Sequence, residues 1–172
     1  MKNITKAKSL EIINKFNKRL VPKFFYFSKE KFLKKKKFYL NKINKYFRND
    51  IIIRSSAKDE DGWNKSNAGK YDSFILHFQN FIKLEKYLLK LIKSLKNKED
   101  QIVIQSYISK PDISGVIFTK DKTSNSHYYD INFDTSKKSN LVTSGRLNPT
   151  LKSLVIFKDS PIIPKKFQKL IK

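Results

Sequence analysis

The chain has 172 residues, which makes a single domain the default, and at 39% hydrophobic and 13% aromatic it can build a sizeable core. It has no Cys, which excludes disulfides and thiolate zinc sites, and its two histidines, His77 and His127, stand too far apart in sequence for a histidine metal cluster. With 38 Lys+Arg against 15 Asp+Glu the formal net charge is +23, an excess that suggests a polyanionic partner such as nucleic acid or an anionic surface.

A second account of the charge stands beside the first. The chain is rich in Lys, Asn, Ile and Phe and has 4 Gly. An AT-rich coding sequence produces the same bias, and lysine then collects wherever a solvated position tolerates it. No apolar run reaches the roughly 20 residues of a membrane span, and the N-terminus lacks the apolar core of a signal peptide. The expectation is a soluble cytoplasmic protein with no membrane partner.

Thr5 or Asn3 can cap a first helix over residues 6–20, with Leu10, Ile13, Phe16 and Leu20 close to one face. Val21-Pro22 breaks it, and the apolar, aromatic run 23–27 reads as a strand. Ser28 is a good N-cap, although Lys31 at the third helical position prevents a capping box. Phe32, Leu33, Phe38, Tyr39, Ile43, Tyr46 and Phe47 predict one or two helices before Asn49-Asp50. Their helical spacing favours core packing over a nucleic-acid groove, and the lysines at 34–37 read as a solvated face.

Ile51, Ile52 and Ile53 predict a buried strand that ends in Arg54-Ser55-Ser56. A cation at the end of a core strand is costly unless an anion partners it. A polar loop follows, with Asp59, Glu60, Asp61 and Gly62, then Ser66-Asn67-Ala68-Gly69-Lys70. The small residues Ser66, Ala68 and Gly69 let backbone N–H groups approach an anion. Arg54 and Lys70 add charge, Arg54 in a fork that fits phosphate oxygens. Three adjacent acids on a loop do not readily converge on a metal, so Asp59, Glu60 and Asp61 read as solvated.

Phe74, Leu76 and Phe78 alternate as in a strand over residues 72–81. Ile82, Leu88, Leu89, Ile92 and Leu95 predict an amphipathic helix over 81–95, in which Glu85 has no cation at i+3 or i+4. Strands follow at 101–108, 114–119, 128–133 and 153–157, and residues 159–172 carry Pro161, Pro164 and a short basic helix. The fold class is α+β with mixed or antiparallel sheets in two subdomains: an α/β part over 1–98, a β-rich part over 101–158 and a basic tail over 159–172.

The ordered set Ile53-Arg54-Ser55-Ser56-Ala57, Glu60-Asp61, Ser66-Asn67-Ala68-Gly69 and Asp72-Ser73 resembles the N-terminal ATP-grasp domain of the phosphoenolpyruvate synthase and pyruvate phosphate dikinase family. Family members carry V-R-S-S-A, E-D, S-x-A-G and an acidic-Thr/Ser pair in that order. Ile102-Val103-Ile104-Gln105-Ser106-Tyr107-Ile108 and Ser114-Gly115-Val116-Ile117-Phe118-Thr119-Lys120-Asp121 are similar to its V-V-V-Q-x-M-V and S-G-V-x-F-T-x-D segments. Thr5-Lys6-Ala7-Lys8-Ser9-Leu10 stands where the family has G-K-G-A-N-L, without either glycine. The phrase INFD…LVTSG resembles a subgroup that includes glutamine kinases of capsule modification.

The resemblance implies an ATP-grasp-like fold whose C-terminal part is missing, and ATP with Mg²⁺ as its ligands. By this likeness Lys6 and Arg54 approach the phosphates. The loop of Ser66, Ala68, Gly69 and Lys70 gives backbone contacts. Gln105, Ser106, Tyr107 and Ile108 meet the adenine. In such a kinase a catalytic histidine carries the phosphoryl group to pyruvate, glutamine or another small acceptor. Ser139-Asn140 replace the family's Gly-Glu, and nothing after Lys158 matches its E-F…L-x-Q-x-R segment, so the likeness implies a split gene product, a truncated remnant, or a protein that needs a second polypeptide carrying the metal ligands and the histidine. Whether this chain is itself an enzyme stays open. The competing readings are a basic, non-catalytic nucleic-acid-binding protein and an inactive kinase fragment.

Overall fold

The computed structural model describes residues 4–57, 61–62, 65–66, 73–120, 126–137 and 149–171. The chain divides into two compact units, Met1–Tyr107 and Ile108–Lys172. It is an α+β protein with two antiparallel sheets, one in each unit, and a two-stranded hairpin besides.

In the first unit four strands lie in the order β1-β6-β2-β5. They are β1 (Phe24–Ser28), β2 (Ile51–Ser56), β5 (Ser73–Leu76) and β6 (Gln101–Ser106). β3 (Asp61–Gly62) and β4 (Lys65–Ser66) form the hairpin. Every neighbouring pair in the sheet is antiparallel, with Ile53 facing Ile104 and Phe25 also facing Ile104. Because strand side chains alternate, Ile51, Ile53 and Ala57 of β2 and its exit share one face with Ile102 and Ile104 of β6. Helices cover that face: α2 (Lys29–Lys34), α3 (Lys36–Tyr46) and α4 (Leu84–Ser94). Phe32, Ile43, Leu84, Leu88, Leu91 and Ile92 from these helices are buried there. Truncating a fully buried leucine such as Leu88 to alanine would cost about 2–5 kcal/mol.

The local signals act as their chemistry dictates. Ser28 caps α2, its hydroxyl accepting from the Lys31 amide at 3.3 Å. The two preceding amides of the turn are satisfied from a distance, Lys29 N–H by the Asp100 carbonyl and Glu30 N–H by the Lys98 carbonyl. The Lys29 ammonium in turn donates to the Leu95 carbonyl at the end of α4 (2.7 Å), where a cation meets the negative end of the helix.

Three expectations change. The helix predicted over 6–20 is α1 (Lys6–Phe16) followed by a separate 3₁₀ turn (Lys18–Leu20). Asn17 is extended (φ −152°, ψ 107°) and its side chain accepts from the Arg19 amide, so it ends one element and starts the next. The apolar stripe of α1 is not core either: Ile13 and Leu20 are exposed, and Phe16 is 86% exposed. Phe78 does not extend β5 but opens a 3₁₀ segment (Phe78–Lys83). Its amide is held by Asp50 Oδ1 at 3.0 Å, and His77 Nδ1 lies 2.8 Å from Asp50 Oδ2.

The strands at 101–108 and 114–119 also do not form a hairpin. β6 sits in the middle of the first sheet, paired on both sides, whereas β7 (Ser114–Phe118) begins the second. The division between the units therefore falls after Tyr107 rather than near 98–101. In the second unit β7, β8 (Tyr128–Asp134) and β9 (Lys152–Phe157) form a meander. Ile131, Phe133 and Ile156 on one of its faces pack with Phe167 of α5 (Lys165–Ile171). Asp134 closes the end of β8, accepting from the Ser136 amide and from the hydroxyls of Ser136 and Thr150.

Candidate anion-binding face of the first unit

The face of the first sheet opposite its helical layer carries Ile52, Arg54 and Ser56 of β2, Gln101, Val103 and Gln105 of β6, and Tyr26 of β1. The register sets them in rows: Ser28–Gln101–Ser56, Tyr26–Val103–Arg54–Ser73 and Phe24–Gln105–Ile52–Ile75. Gln105 and Arg54 are thus near neighbours on one surface.

α1 is fastened across this face at three points. Ala7 N–H donates to Ser56 Oγ at 2.9 Å in a buried bond. The Thr5 hydroxyl donates to Gln101 Oε1 at 3.3 Å while accepting from the Lys8 amide. The Tyr26 hydroxyl reaches Glu11 Oε2 at 3.5 Å. These ties place the N-terminal turn of α1, with Lys6 as its first residue, at the Ser56 end of β2. Arg54 projects from the same face two residues away, about 7 Å along the strand.

Electrostatics at this end of the sheet are positive. The turn's amides carry the helix's partial positive charge, and Arg54 adds a permanent cation. Glu11, a turn further along α1, is ion-paired with Lys8 at 2.7 Å and lies 3.9 Å from Lys15. The Lys8 hydrogen bond, first among the causes, holds the Glu11 carboxyl below its usual range. Arg54 Nε is buried and makes no hydrogen bond among the described residues. A buried, unpaired donor on a charged group is expensive, and an anionic oxygen is the acceptor that suits it.

The other predicted site residues fall out as follows. Ala68, Gly69 and Lys70 lie outside the described residues, as do Asp59 and Glu60, and Ser66 is described only through its backbone in β4. The Gln105 side chain is buried on the Arg54 face. The Ser106 amide donates to the Lys23 carbonyl and the Tyr107 amide to the Asp50 carbonyl, both at 2.8 Å. An adenine edge meeting this segment would find those two amides engaged. Ile108 is the first residue of the second unit, its side chain exposed.

Ser56 and Gln101 are the positioning residues that sequence reasoning missed. Their partners are 49 and 96 residues away, and no local pattern announces such contacts. In the sequence Asp50 marks only the end of a helical segment. Its carboxyl is held below the ordinary range, first by the Phe78 amide and then by His77.

A groove of 810 Å³ lies elsewhere, lined by Phe74, Glu85, Tyr87, Leu89, Lys90 and Lys93 among others. Phe74 pairs with Ile53, on the helical side of the sheet, so this groove is separate from Arg54. Among the described residues no group of three or more His, Asp or Glu converges as metal ligands, and no described helix is long and apolar enough to cross a membrane. Compared with models of known protein families, with curated proteins and with solved structures, the chain matches none of them.

Proposed function

We propose that the first unit binds the polyphosphate of ATP on the α1 face of its sheet, as the nucleotide-binding part of an ATP-grasp phosphotransferase like phosphoenolpyruvate synthase. The observation that carries this reading is Arg54: a buried guanidinium nitrogen without an acceptor among the described residues, on the face and at the end of the sheet where α1 begins. Arg54 would fork onto phosphate oxygens, and Lys6, at the start of α1, would add a second positive charge. These groups position the polyphosphate and offset its charge; none is a nucleophile. Magnesium bound with the nucleotide would offset charge on the phosphate oxygens. The described residues supply no carboxylate cluster for it; in this reading a histidine carries the phosphoryl group to a small acceptor.

The test is calorimetric titration of Mg-ATP into wild type and Arg54→Met. The expected result is binding by wild type and a loss of about tenfold or more in the variant, the worth of one or two charge-assisted hydrogen bonds. Equal affinities, or no binding by wild type, would sink the reading.

A further inference from the structure

We infer that the outer face of α3 is a binding site for single-stranded nucleic acid. Two residues that the spacing assigned to the core are outside it: Phe38 is 57% exposed and Tyr46 is 37% exposed. Tyr39, Leu40, Ile43 and Phe47 of the same segment pack inward instead. Positions 38, 41, 42, 45 and 46 recur at helical spacing on the solvent side and line a 520 Å³ groove. They are Phe38, Asn41, Lys42, Lys45 and Tyr46. The face is aromatic at both ends and cationic between.

Charge complementarity selects the occupant. α3 holds four lysines and no acid. Lys36 is consumed by Glu85 at 2.8 Å, but Lys42 and Lys45 make no ion pair with a described carboxylate. Lys42 stands over the Phe25 ring at 4.9 Å and beside Phe38 at 6.0 Å, and Lys23 stands over Tyr46 at 3.9 Å. These contacts hold the ammonium groups at the rim of the groove with their other side in water. Phe38 meets Tyr39 with ring planes at 84° and is itself 57% exposed, which leaves ring surface for a base. Eight residues of helix separate the two rings, about 12 Å, a span of about three phosphates on one strand. A ring platform with lysines alongside is how strands are held without base reading. An acidic peptide would satisfy the lysines and leave the rings unused. This site is independent of Arg54, which lies on the sheet face away from the helical layer.

The experiment is fluorescence anisotropy of a labelled oligothymidylate against the full chain over a salt series. The set comprises wild type, Phe38→Ala, Lys42→Gln/Lys45→Gln, the control pair Lys83→Gln/Lys86→Gln and Arg54→Met, each checked for wild-type circular dichroism. Heparin is the aromatic-blind competitor. Phe38→Ala is expected to weaken oligonucleotide binding about fivefold or more and leave heparin binding unchanged. The Lys42/Lys45 pair should flatten the plot of log affinity against log salt by about 1.4, and the control pair should affect affinity less. Arg54→Met should bind the oligonucleotide as wild type does, so the fates of this site and of the ATP reading separate. The inference is overturned if wild type does not bind, if Phe38→Ala binds as wild type, or if the control pair costs as much as Lys42/Lys45.

Discussion

The Ala7 amide and the Ser56 hydroxyl meet in a buried hydrogen bond of 2.9 Å that spans 49 residues of sequence. It fixes where a helix starts relative to where a strand ends. Ser56→Ala leaves that amide buried and unpaired, which should cost about 1–3 kcal/mol. The loss should appear as a lower denaturation midpoint and as faster hydrogen exchange in the first turns of α1. If ATP sits at this turn, the same variant binds it more weakly even where it remains folded.

Arg54 carries the opposite expectation for stability. Its buried Nε gains nothing from the described protein, so Arg54→Met, which keeps most of the packing, should melt at or above the wild-type temperature. Loss of nucleotide binding without loss of stability separates a ligand-directed cation from a structural one. A variant destabilised by about 2 kcal/mol or more would show that the guanidinium belongs to the fold.

Gly115 tests the second unit. A Cβ built there would lie 2.4 Å from the Asn132 carbonyl oxygen and 3.0 Å from Phe133 Cα. Both atoms are backbone of the adjacent strand and cannot rotate away. Gly115→Ala should therefore force β7 from β8 and cost about 1–3 kcal/mol, read as a lower melting temperature. A melt identical to wild type would contradict the close approach.

Asp50 predicts a pH dependence. Its carboxyl is held below its ordinary 3.8 by the Phe78 amide and His77. A group with a depressed folded pKa contributes its stability above the unfolded value and loses it as pH falls through the folded one. Wild type should lose stability below about pH 4, and Asp50→Asn should lose less between pH 5 and pH 3 in urea melts. Glu11 and Glu30 shift in the same direction beside Lys8 and Lys34, so the variant removes part of the acid loss and not all of it.

Much of the local structure was legible because its causes are local. Three consecutive isoleucines make β2, Ser28 caps α2, Thr5 caps α1, and Leu88 and Ile92 turn α4 inward, although Ile82 of the same predicted stripe is exposed. What could not be read depends on partners distant in sequence. Glu85 has no cation at i+3 or i+4 of its own helix, yet finds Lys36 on α3. Residues 101–106 have the pattern of a strand, but nothing in that pattern says that it pairs with residues 24–28 and 51–56 instead of its sequence neighbour. The periodicity that marked Phe16 and Phe38 as apolar positions cannot say whether a surface exists to cover them; in both cases none among the described residues does. The candidate site shows the same divide. Arg54 stands out as a cation closing an apolar strand, whereas the tie that brings Lys6 to its end of the sheet is visible only after folding.

The placement of β6 has a consequence for biosynthesis. β1 and β2 do not touch each other as strands; each pairs with β6, which is made last of the four. A growing chain that has not yet reached Gln101 holds two aromatic or isoleucine-rich ribbons whose hydrogen-bonding groups await a common partner. Such edges invite pairing with other chains. Emergence of Ser106 from the ribosome is thus the event that lets the sheet close, and a nascent chain stalled before it is the form most in need of a chaperone.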